Sequence, residues 1–294
     1  MENHLSPSNT ASTHSTNSPI KQIFLLGVGQ TGKAIARILH SHTNATIYGT
    51  TRNTARIEEL KNLSIIPLVW STVAEQPDAA PGSHAPDTHV VVSFPPDGST
   101  DQAIANNFRH AAKLIYISST GVYGSRTGYV DETTPVDNES SNTKMRLEAE
   151  KQWLEVGAIV LRAPGIYGPE SSILQRLLSG QYKMPEDKKL ISSRIHVDDL
   201  ARIAIKALEC GKPGTIYVVG DEHPCSQQEV ALWLCSLLNL AIPPTVPTDL
   251  LPPTARSNRH IKARRVLEEL GLSLSYPSYK EGYSAIIAQQ GLTP

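Results

Sequence analysis

The sequence K-Q-I-F-L-L-G-V-G-Q-T-G-K, from Lys21 to Lys33, decides the fold of this chain. Its apolar run Ile23–Leu26 predicts a buried strand, and the amphipathic run after the motif predicts a helix. Between them, Gly27, Gly29 and Gly32 form a G-x-G-x-x-G pattern. In such a turn the first glycine permits the tight bend, the second lets the backbone approach a pyrophosphate, and the third lets the helix pack closely. The stretch therefore predicts a dinucleotide-binding turn.

The N-terminus of the predicted helix faces the ligand in this arrangement. Its first N–H groups have no partner within the helix, and the helix dipole favours an anion there. Gln30 and Thr31 open the helix, so we include both with the three glycines in the predicted cofactor site. Glycines at such a turn also occur for purely structural reasons. The position of the motif at the first strand of a β-α-β series favours dinucleotide binding.

Composition excludes several classes of partner. The chain has 294 residues and a formal net charge of -1, with 19% charged residues. This balance offers no basic patch for nucleic acid or for an anionic membrane surface. We predict a small-molecule substrate, no nucleic-acid or membrane partner, and a monomer or homodimer.

The cysteines and the lack of targeting signals both bear on where the protein is located. Cys210, Cys225 and Cys235 form no C-x-x-C pattern and lie away from the glycine motif, so they are interpreted as reduced, partly buried thiols, and no metal site is predicted. The chain contains no apolar run long enough for a membrane span and no secretory signal pattern. The sequence therefore predicts a cytoplasmic protein.

The end of the second predicted strand bears on the choice of cofactor. Residues 45–48 read as a strand that runs into Gly49-Thr-Thr-Arg52. NAD-selective sites usually place Asp or Glu here for the ribose 2′-hydroxyl, whereas Thr51 and Arg52 suit a 2′-phosphate. The sequence therefore favours NADP over NAD. The alternative is that Arg52 is an ordinary solvated surface residue.

A further predicted strand, His89–Ser93, runs into Phe94-Pro-Pro-Asp-Gly98. Its end meets the same carboxyl edge of the sheet as the glycine turn, and ligands bind at that edge. Ser93 and Pro95 are therefore predicted to line the cofactor groove. A rigid turn explains the prolines equally well.

Four later segments resemble a known family. The segment I-S-S-T-G-V-Y-G (117–124) resembles the fifth-strand segment of the extended short-chain dehydrogenase/reductase superfamily, the NAD-dependent epimerase/dehydratase group. Matches follow in the family's order at L-R-A-P-G-I-Y-G-P (161–169), R-I-H-V-D-D-L (194–200) and G-T-I-Y-V-V (214–219). Four ordered motifs are more specific than one glycine turn.

The resemblance implies an α/β fold, a Rossmann-like doubly wound parallel sheet with a smaller C-terminal substrate lobe. Residues 20–165 would form mainly the dinucleotide-binding core. Residues 166–294 would form mainly the substrate lobe, with a strand at about 215–219 returning to the core. Residues 1–19, rich in Ser, Thr, Asn and Pro, are predicted to be a disordered tail.

The resemblance also implies site residues. Pro164 and Ile166 would bring their backbone close to the nicotinamide. Catalysis in the family uses a Ser or Thr in the fifth-strand segment, matched here by Ser119, and a Tyr-x-x-x-Lys pair on the next helix. Alignment of R-L-E-A-E (146–150) with the family's K-x-x-x-E places Arg146 at the lysine position and Asn142 at the tyrosine position. The chain is thus identified as an atypical member that lacks the pair.

The chain contains other candidates for the roles of the missing tyrosine and lysine. The only literal Tyr-x-x-x-Lys, Tyr276 to Lys280, contains Pro277, which disfavours the regular helix that would put both side chains on one face. Arg146 is suited to hold ribose hydroxyls but does not exchange protons readily. Tyr123, four residues after Ser119, is the best substitute acid, with packing or substrate contact as the alternative.

These observations support two hypotheses. The first is an NADP-dependent oxidoreductase or epimerase/dehydratase-like enzyme that acts on a small polar hydroxyl or carbonyl metabolite. The second is an NADP-sensing or regulatory binding protein without catalysis. Absence of the tyrosine and lysine pair favours the second.

Overall fold

The structure, a computed structural model, describes residues 20–70 and 86–292. The predicted tail, 1–19, lies outside these residues. In chain order, the strands are β1 (Gln22–Leu26), β2 (Thr46–Thr51), β3 (Ile66–Val69), β4 (Thr88–Val92), β5 (Lys113–Ser119), β6 (Gly128–Val130), β7 (Ile159–Ala163), β8 (Gly165–Tyr167), β9 (Met184–Pro185), β10 (Ile191–Ser192), β11 (Arg194–His196), β12 (Ile216–Val218), β13 (Cys225–Ser226), β14 (Thr245–Val246) and β15 (Arg259–Ile261). The α-helices are α1 (Gln30–His42), α2 (Ile57–Asn62), α3 (Thr100–Ile104), α4 (Ser141–Glu155), α5 (Ile173–Leu178), α6 (Val197–Cys210), α7 (Gln227–Leu237), α8 (Arg264–Leu270) and α9 (Tyr279–Gln289).

A parallel sheet of seven strands forms the centre of the described chain. Its order is β12-β7-β5-β4-β1-β2-β3, and every neighbouring pair is parallel. Strands β4 and β7 are buried along their whole length, as expected when helices cover both faces. The strand order reverses between β1 and β4, which opens a crevice at their carboxyl ends. The predicted Rossmann-like doubly wound sheet is confirmed.

Alternation along β1 separates the two faces of this sheet. Ile23 and Leu25 belong to the core that includes the buried sides of α1 and α6. Phe24 and Leu26 belong to the opposite core, together with Trp153 of α4. Because successive side chains of a strand point to opposite faces, the apolar run in β1 anchors both layers and fixes where its carboxyl end emerges.

The C-terminal part has its own core, and a small sheet joins three of its strands to β6. Tyr167, Leu174, Val230 and Tyr283 belong to this third apolar cluster. The small sheet has the order β13-β10-β15-β6, in which only the β10–β13 pair is antiparallel. In contrast, β12 pairs with β7 at the edge of the main sheet. Within residues 20–70 and 86–292, no helix combines the length and the apolar character that a bilayer crossing requires.

Candidate functional site

The glycine turn joins β1 to α1 at the sheet crevice. Gly27 has φ +86, a conformation that L side chains rarely adopt, and a Cβ at this position would lie 3.0 Å from the Cβ of Phe94. The N–H of Gly29 donates to the carbonyl oxygen of Gly27 at 3.1 Å, which closes the turn. Gly27 is therefore required by both the backbone conformation and the close approach of the segment after β4.

The other two glycines have different roles. A Cβ on Gly29 would meet no protein atom within 4 Å, so the protein's own packing does not require glycine there. A Cβ on Gly32 would lie 3.4 Å from the carbonyl oxygen of Gly27, which reflects close packing of α1 on the turn. The first turn of α1, where Gln30 is half-buried and Thr31 is buried, carries no acidic side chain. The helix N-terminus is therefore open to an anion beside Gly29.

Two hydroxyl groups hold this turn from neighbouring strands. The Gly27 N–H donates to Oγ1 of Thr50 at 2.7 Å, and Oγ of Ser93 donates to the Gly27 carbonyl oxygen at 2.6 Å. Ser93 thus lies beside the predicted groove, with its hydroxyl bonded to the turn itself, while Pro95 is exposed beyond it. Thr50 was not among the predicted residues, although its place at the end of the second strand was a usable signal.

Thr51 and Arg52 stand at the carboxyl end of β2, as predicted. Thr51 is buried and its Oγ1 accepts from the Asn53 N–H at 3.2 Å, so the hydroxyl shapes the turn after the strand. The Arg52 side chain is 67% exposed, and its Nη2 lies 2.9 Å from Oδ2 of Asp97. Burial opposes ionisation of Asp97, but hydrogen bonds from Thr100, Ser99 and Arg52 hold the pKa of its carboxyl well below the usual range. The predicted cation therefore already has one carboxylate partner.

A second arginine next to the turn was missed by the sequence analysis. Nη1 of Arg56 donates to the carbonyl oxygen of Val28 at 2.7 Å, and its Nε donates to Glu59 at 2.8 Å. Hydrogen bonds from Arg56 and Lys33 lower the pKa of Glu59 to about 2. The signal was present in T-R-N-T-A-R, where Arg56 follows Arg52 by four residues. The Arg56 guanidinium therefore lies against the turn, and Arg52 follows the neighbouring strand β2.

A cavity of about 580 Å³ lies beyond the carboxyl ends of β5 and β7. It brings together three predicted residues, Ser119, Pro164 and Ile166, with side chains of the C-terminal part. The amide of Gln30 donates to the Ile166 carbonyl oxygen at 3.5 Å. The first turn of α1 therefore adjoins the wall of this cavity. The polar and aromatic lining includes Thr120, Tyr167, Glu170, Gln175, Arg176, Ser192, Ser193, Arg194, Gln227, Arg259 and Tyr283.

Ser119 is the predicted catalytic residue that reaches the cavity. It caps a 3₁₀ turn over Thr120–Tyr123, and its Oγ accepts from the Gly121 N–H at 3.0 Å. A serine hydroxyl has one proton and two lone pairs, and Gly121 uses one lone pair. The hydroxyl is thereby oriented by its own backbone at the end of β5.

Tyr123, predicted as a substitute acid, is not among the residues that line the cavity. Its side chain is fully buried, and its hydroxyl donates to the Asp131 carbonyl oxygen at 2.9 Å and accepts from Nη1 of Arg162 at 3.1 Å. Burial raises the pKa of this phenol despite the neighbouring guanidinium. The 3₁₀ turn directs Ser119 outward and Tyr123 inward, so the packing alternative describes Tyr123.

Behind Ser119 lies a buried polar network. Arg162 of β7 and Glu150 of α4 form an ion pair with 2.7 Å between Nη2 and Oε2, and both side chains are no more than 6% exposed. Glu150 also accepts from Oγ of Ser118 at 2.6 Å. This network connects α4, β5 and β7, and the loss of one partner would leave a buried charge without compensation.

Arg146 lies one helical turn before Glu150, as the alignment requires, but it is not among the residues that line the cavity with Ser119. It is half-buried on α4. Burial raises the pKa of the nearby Asp101 carboxyl, although the charge of Arg146 acts in the opposite direction. Asn142 is exposed in the first turn of the same helix. Neither residue lines the described cavity. Joint action of Ser119 and Arg146 on one ligand therefore stays a prediction.

Three arginines give the cavity a positive character. Arg176, Arg194 and Arg259 line it, and none of them forms an ion pair within the described part of the chain. Nη1 of Arg259 donates to the Gly124 carbonyl oxygen, while its Nε is buried and has no partner among the described residues. The lining carboxylate, Glu170, lies 2.9 Å from Nζ of Lys33. Net positive charge in a partly enclosed cavity favours an anionic group.

Comparison with known proteins gives a family match over most of this fold. The model of the NAD dependent epimerase/dehydratase family matches residues 23–220. A 3-diazoavenalumate denitrifying reductase from a Streptomyces species is 28% identical over 174 residues, and protein YeeZ of Escherichia coli K12 is 29% identical over 182 residues. These alignments cover 52% and 60% of the chain, and the chain spans 55% and 62% of the two relatives.

Solved structures resemble the chain over nearly its whole length. A functionally unknown conserved protein from Silicibacter pomeroyi has a TM-score of 0.79 and 30% identity, with 92% of this chain and 99% of that chain covered. A dTDP-glucose 4,6-dehydratase from Bacillus anthracis in complex with NAD has a TM-score of 0.77 and 19% identity, with coverage of 92% and 96%. The second likeness shows the fold alone.

Proposed function

We propose that this chain, which belongs to the NAD dependent epimerase/dehydratase family, binds NADP at the glycine turn and reduces or oxidises a small polar metabolite in the adjoining cavity. The open side of Gly29 carries this proposal, since a Cβ there would meet no protein atom within 4 Å. The protein's own packing does not require glycine at this position, whereas a bound ligand would. The adjoining helix N-terminus carries no acidic side chain, and both features suit a pyrophosphate.

The residues present fit the nicotinamide end as well. Ile166 lines the cavity and bonds through its carbonyl oxygen to Gln30 of α1, so a dinucleotide bound at the turn extends towards Ser119. When bound, the cofactor supplies or accepts hydride. The dTDP-glucose dehydratase named above was solved with NAD, which supports a nicotinamide cofactor on this fold.

Preference for NADP is supported by the cations around the turn. The second strand ends at Thr51 and is followed by Arg52 in place of an acidic residue, and Arg56 lies against the turn at Val28. A 2′-phosphate at this edge would compete with Asp97 for Arg52. Because the Arg52–Asp97 ion pair is largely exposed, it contributes little to the stability of the fold. A 2′-phosphate would therefore replace Asp97 at a small cost in free energy.

The substrate is proposed to carry an anionic group together with a carbonyl or hydroxyl. Arg259 has an unused buried Nε, which suits a carboxylate or phosphate oxygen. Ser119 is placed to donate to the oxygen that gains charge as hydride is transferred. The cavity phenols are poor acids, since burial raises the pKa of Tyr283 to about 12 and raises that of Tyr167 further. A reduction with proton supply from water therefore fits better than a tyrosine relay.

The test is a titration of the purified full-length protein with NADPH and with NADH, followed by nucleotide fluorescence. We expect saturable binding with clear preference for NADPH. No binding up to millimolar NADPH would remove the cofactor proposal.

A panel of carboxylated or phosphorylated carbonyl compounds then tests turnover by loss of NADPH absorbance. Ser119→Ala should lower kcat/KM by roughly 10²-fold, the loss typical of one oxyanion donor, and leave NADPH affinity unchanged.

The second candidate is an NADP-sensing protein without catalysis. Burial of Tyr123 and the exposed position of Asn142 favour it, because neither residue replaces the family's tyrosine. Tight NADPH binding without turnover across the panel would support this candidate. Turnover that Ser119→Ala abolishes would exclude it.

A further inference from the structure

Three metal-ligating side chains meet on the C-terminal part, outside the proposed NADP site. The Nε2 or Nδ1 of His223, Sγ of Cys225 and a carboxylate oxygen of Glu229 all lie within 4.8 Å of one another. The closest recorded pair, Nε2 of His223 and Oε1 of Glu229, is 3.5 Å apart. Cys225 is buried, whereas the other two side chains are about half exposed.

The local fold holds these residues together. Cys225 lies in β13, and the next residue, Ser226, caps α7 by accepting from the Glu229 N–H at 3.0 Å. The His223 N–H donates to Oδ1 of Asp221 at 3.3 Å. The three groups therefore come from one seven-residue segment, H-P-C-S-Q-Q-E, whose ends are fixed by a strand and a helix cap.

The donor set is suited to Zn²⁺. Zinc takes thiolate, imidazole and carboxylate ligands, at about 2.3 Å for sulfur and about 2.0–2.2 Å for nitrogen and oxygen. In a tetrahedral site, these bond lengths put the ligand atoms roughly 3.3–3.8 Å apart. The His223–Glu229 distance already has this value, and rotation of two half-exposed side chains towards Cys225 completes the set. Three protein ligands leave a fourth position for water.

Neighbouring groups support the ligands and balance their charge. Nη1 of Arg194 donates to Sγ of Cys225 at 2.8 Å, and the Tyr279 hydroxyl donates to Oε1 of Glu229 at 3.1 Å. Such second-shell hydrogen bonds orient metal ligands. Arg194 adds a positive charge, but Asp221 is also buried there, and its Oδ2 has no partner among the described residues. The thiolate of Cys225 and the carboxylate of Glu229 would together balance the charge of one dication.

We propose that His223, Cys225 and Glu229 form a Zn²⁺ site with water in the fourth position. The proposal is independent of the NADP site, since it rests on other residues. Arg194 contacts both Cys225 and the cavity, so a bound metal would also fix the orientation of one cavity cation. From the sequence, Cys225 is predicted to be a reduced, partly buried thiol and no metal site is predicted, so this cluster became visible only in the structure.

Titration of the metal-free, full-length protein with Co²⁺ tests the proposal. We expect one equivalent to bind, with a thiolate-to-cobalt charge-transfer band in the near ultraviolet and visible bands of tetrahedral Co²⁺. Zn²⁺ should remove both signals. Cys225→Ser should abolish the charge-transfer band, and His223→Gln should weaken Co²⁺ binding at least about 10-fold, since loss of even second-shell partners has that effect.

Matched variants keep the test decisive. Cys210→Ser and Cys235→Ser remove the other thiols, and Glu222→Gln removes an exposed acid next to the site. All three should leave the spectrum and affinity unchanged. If circular dichroism shows that Cys225→Ser does not fold, His223→Gln and Glu229→Gln test the proposal instead, through their loss of Co²⁺ affinity. Both of these residues are exposed. Absence of a thiolate band in the native protein at millimolar Co²⁺, or a band that survives loss of Cys225 or depends on Cys210, would overturn the proposal.

Discussion

At the scale of single residues, removal of the Tyr123 hydroxyl distinguishes a structural role of this tyrosine from a catalytic one. Tyr123→Phe leaves a buried carbonyl oxygen at Asp131 and one N–H of Arg162 without their partner. We expect a loss of about 1–3 kcal/mol in the free energy of unfolding, measured by urea denaturation, with kcat/KM within a few-fold of native. Tyr129→Phe, at a 69% exposed tyrosine, should change neither quantity. A large fall in kcat/KM with unchanged stability would restore Tyr123 as the acid.

Arg52 allows the cofactor preference to be tested at one position. Arg52→Gln keeps a polar, exposed side chain but removes the charge proposed to meet the 2′-phosphate. We expect NADPH to bind roughly 10- to 100-fold more weakly, the usual value of a hydrogen bond to a charged group, while NADH affinity changes little. Lys61→Gln removes a comparable exposed cation that pairs with Glu58 on α2, and it should alter neither affinity. Equal weakening of NADPH and NADH would contradict the proposed contact.

At the scale of the β1–turn–α1 element, the same substitution has opposite expected effects at two glycines. Gly27→Ala requires an alanine at φ +86 with its Cβ 3.0 Å from Phe94, so it should lower stability by about 1–3 kcal/mol. Gly29→Ala meets no protein atom within 4 Å. It should cost less than about 1 kcal/mol but weaken NADPH binding at least tenfold. Thermal unfolding and NADPH titration measure both effects. Unchanged NADPH affinity in Gly29→Ala would place the ligand elsewhere.

The N-terminus of α3 gives a prediction on pH. Asp97 accepts from the N–H groups of Ser99 and Thr100 at 3.0 and 2.7 Å, and its pKa is lowered in the folded state. Its stabilisation is therefore present above its unfolded pKa of about 3.9 and is lost as the pH falls further. Asp97→Asn should cost about 1 kcal/mol or less at pH 7, and the difference from native should shrink at pH 3. Urea denaturation at both pH values measures this, with Glu58→Gln as an exposed control. A difference that grows at pH 3 would contradict the assignment.

At the scale of the whole molecule, the proposed ligand spans two parts of the chain. Lys33 of α1 lies 2.9 Å from Glu170, and Arg37 pairs with Asp198 of α6, so the first helix is already bonded to the C-terminal half. NADPH at 100 times its Kd should stabilise the fold by about 2.7 kcal/mol, which raises Tm by several degrees. Differential scanning fluorimetry with and without NADPH measures the shift, and AMP serves as a fragment that lacks the nicotinamide end. A shift equal to that with AMP would contradict binding across both parts.

Some features of this molecule followed from local sequence. The β1–turn–α1 motif was predictable because Gly27 meets a backbone requirement that is local and that other residues rarely satisfy. The order of strands along the chain was predictable because strands buried on both faces are nearly continuous apolar runs, as in Ile23–Leu26 of β1. Rejection of Tyr276 with Lys280 agrees with the structure, in which α9 begins only at Tyr279. The family followed because four motifs occurred in the correct order.

The remaining features depended on contacts between distant segments. The sequence placed Tyr123 near Ser119 but could not show which of them points inward. That depends on the 3₁₀ turn between them, in which side chains four residues apart point in different directions. Arg56 reaches Val28 across 28 positions, and Arg259 enters the cavity from the far end of the chain. By itself, the sequence determined the sheet, the glycine turn and the family, since these rest on local conformation and periodic burial. Only the tertiary structure decided which side chains share a cavity, because that depends on how α4, α7 and β15 pack against the sheet.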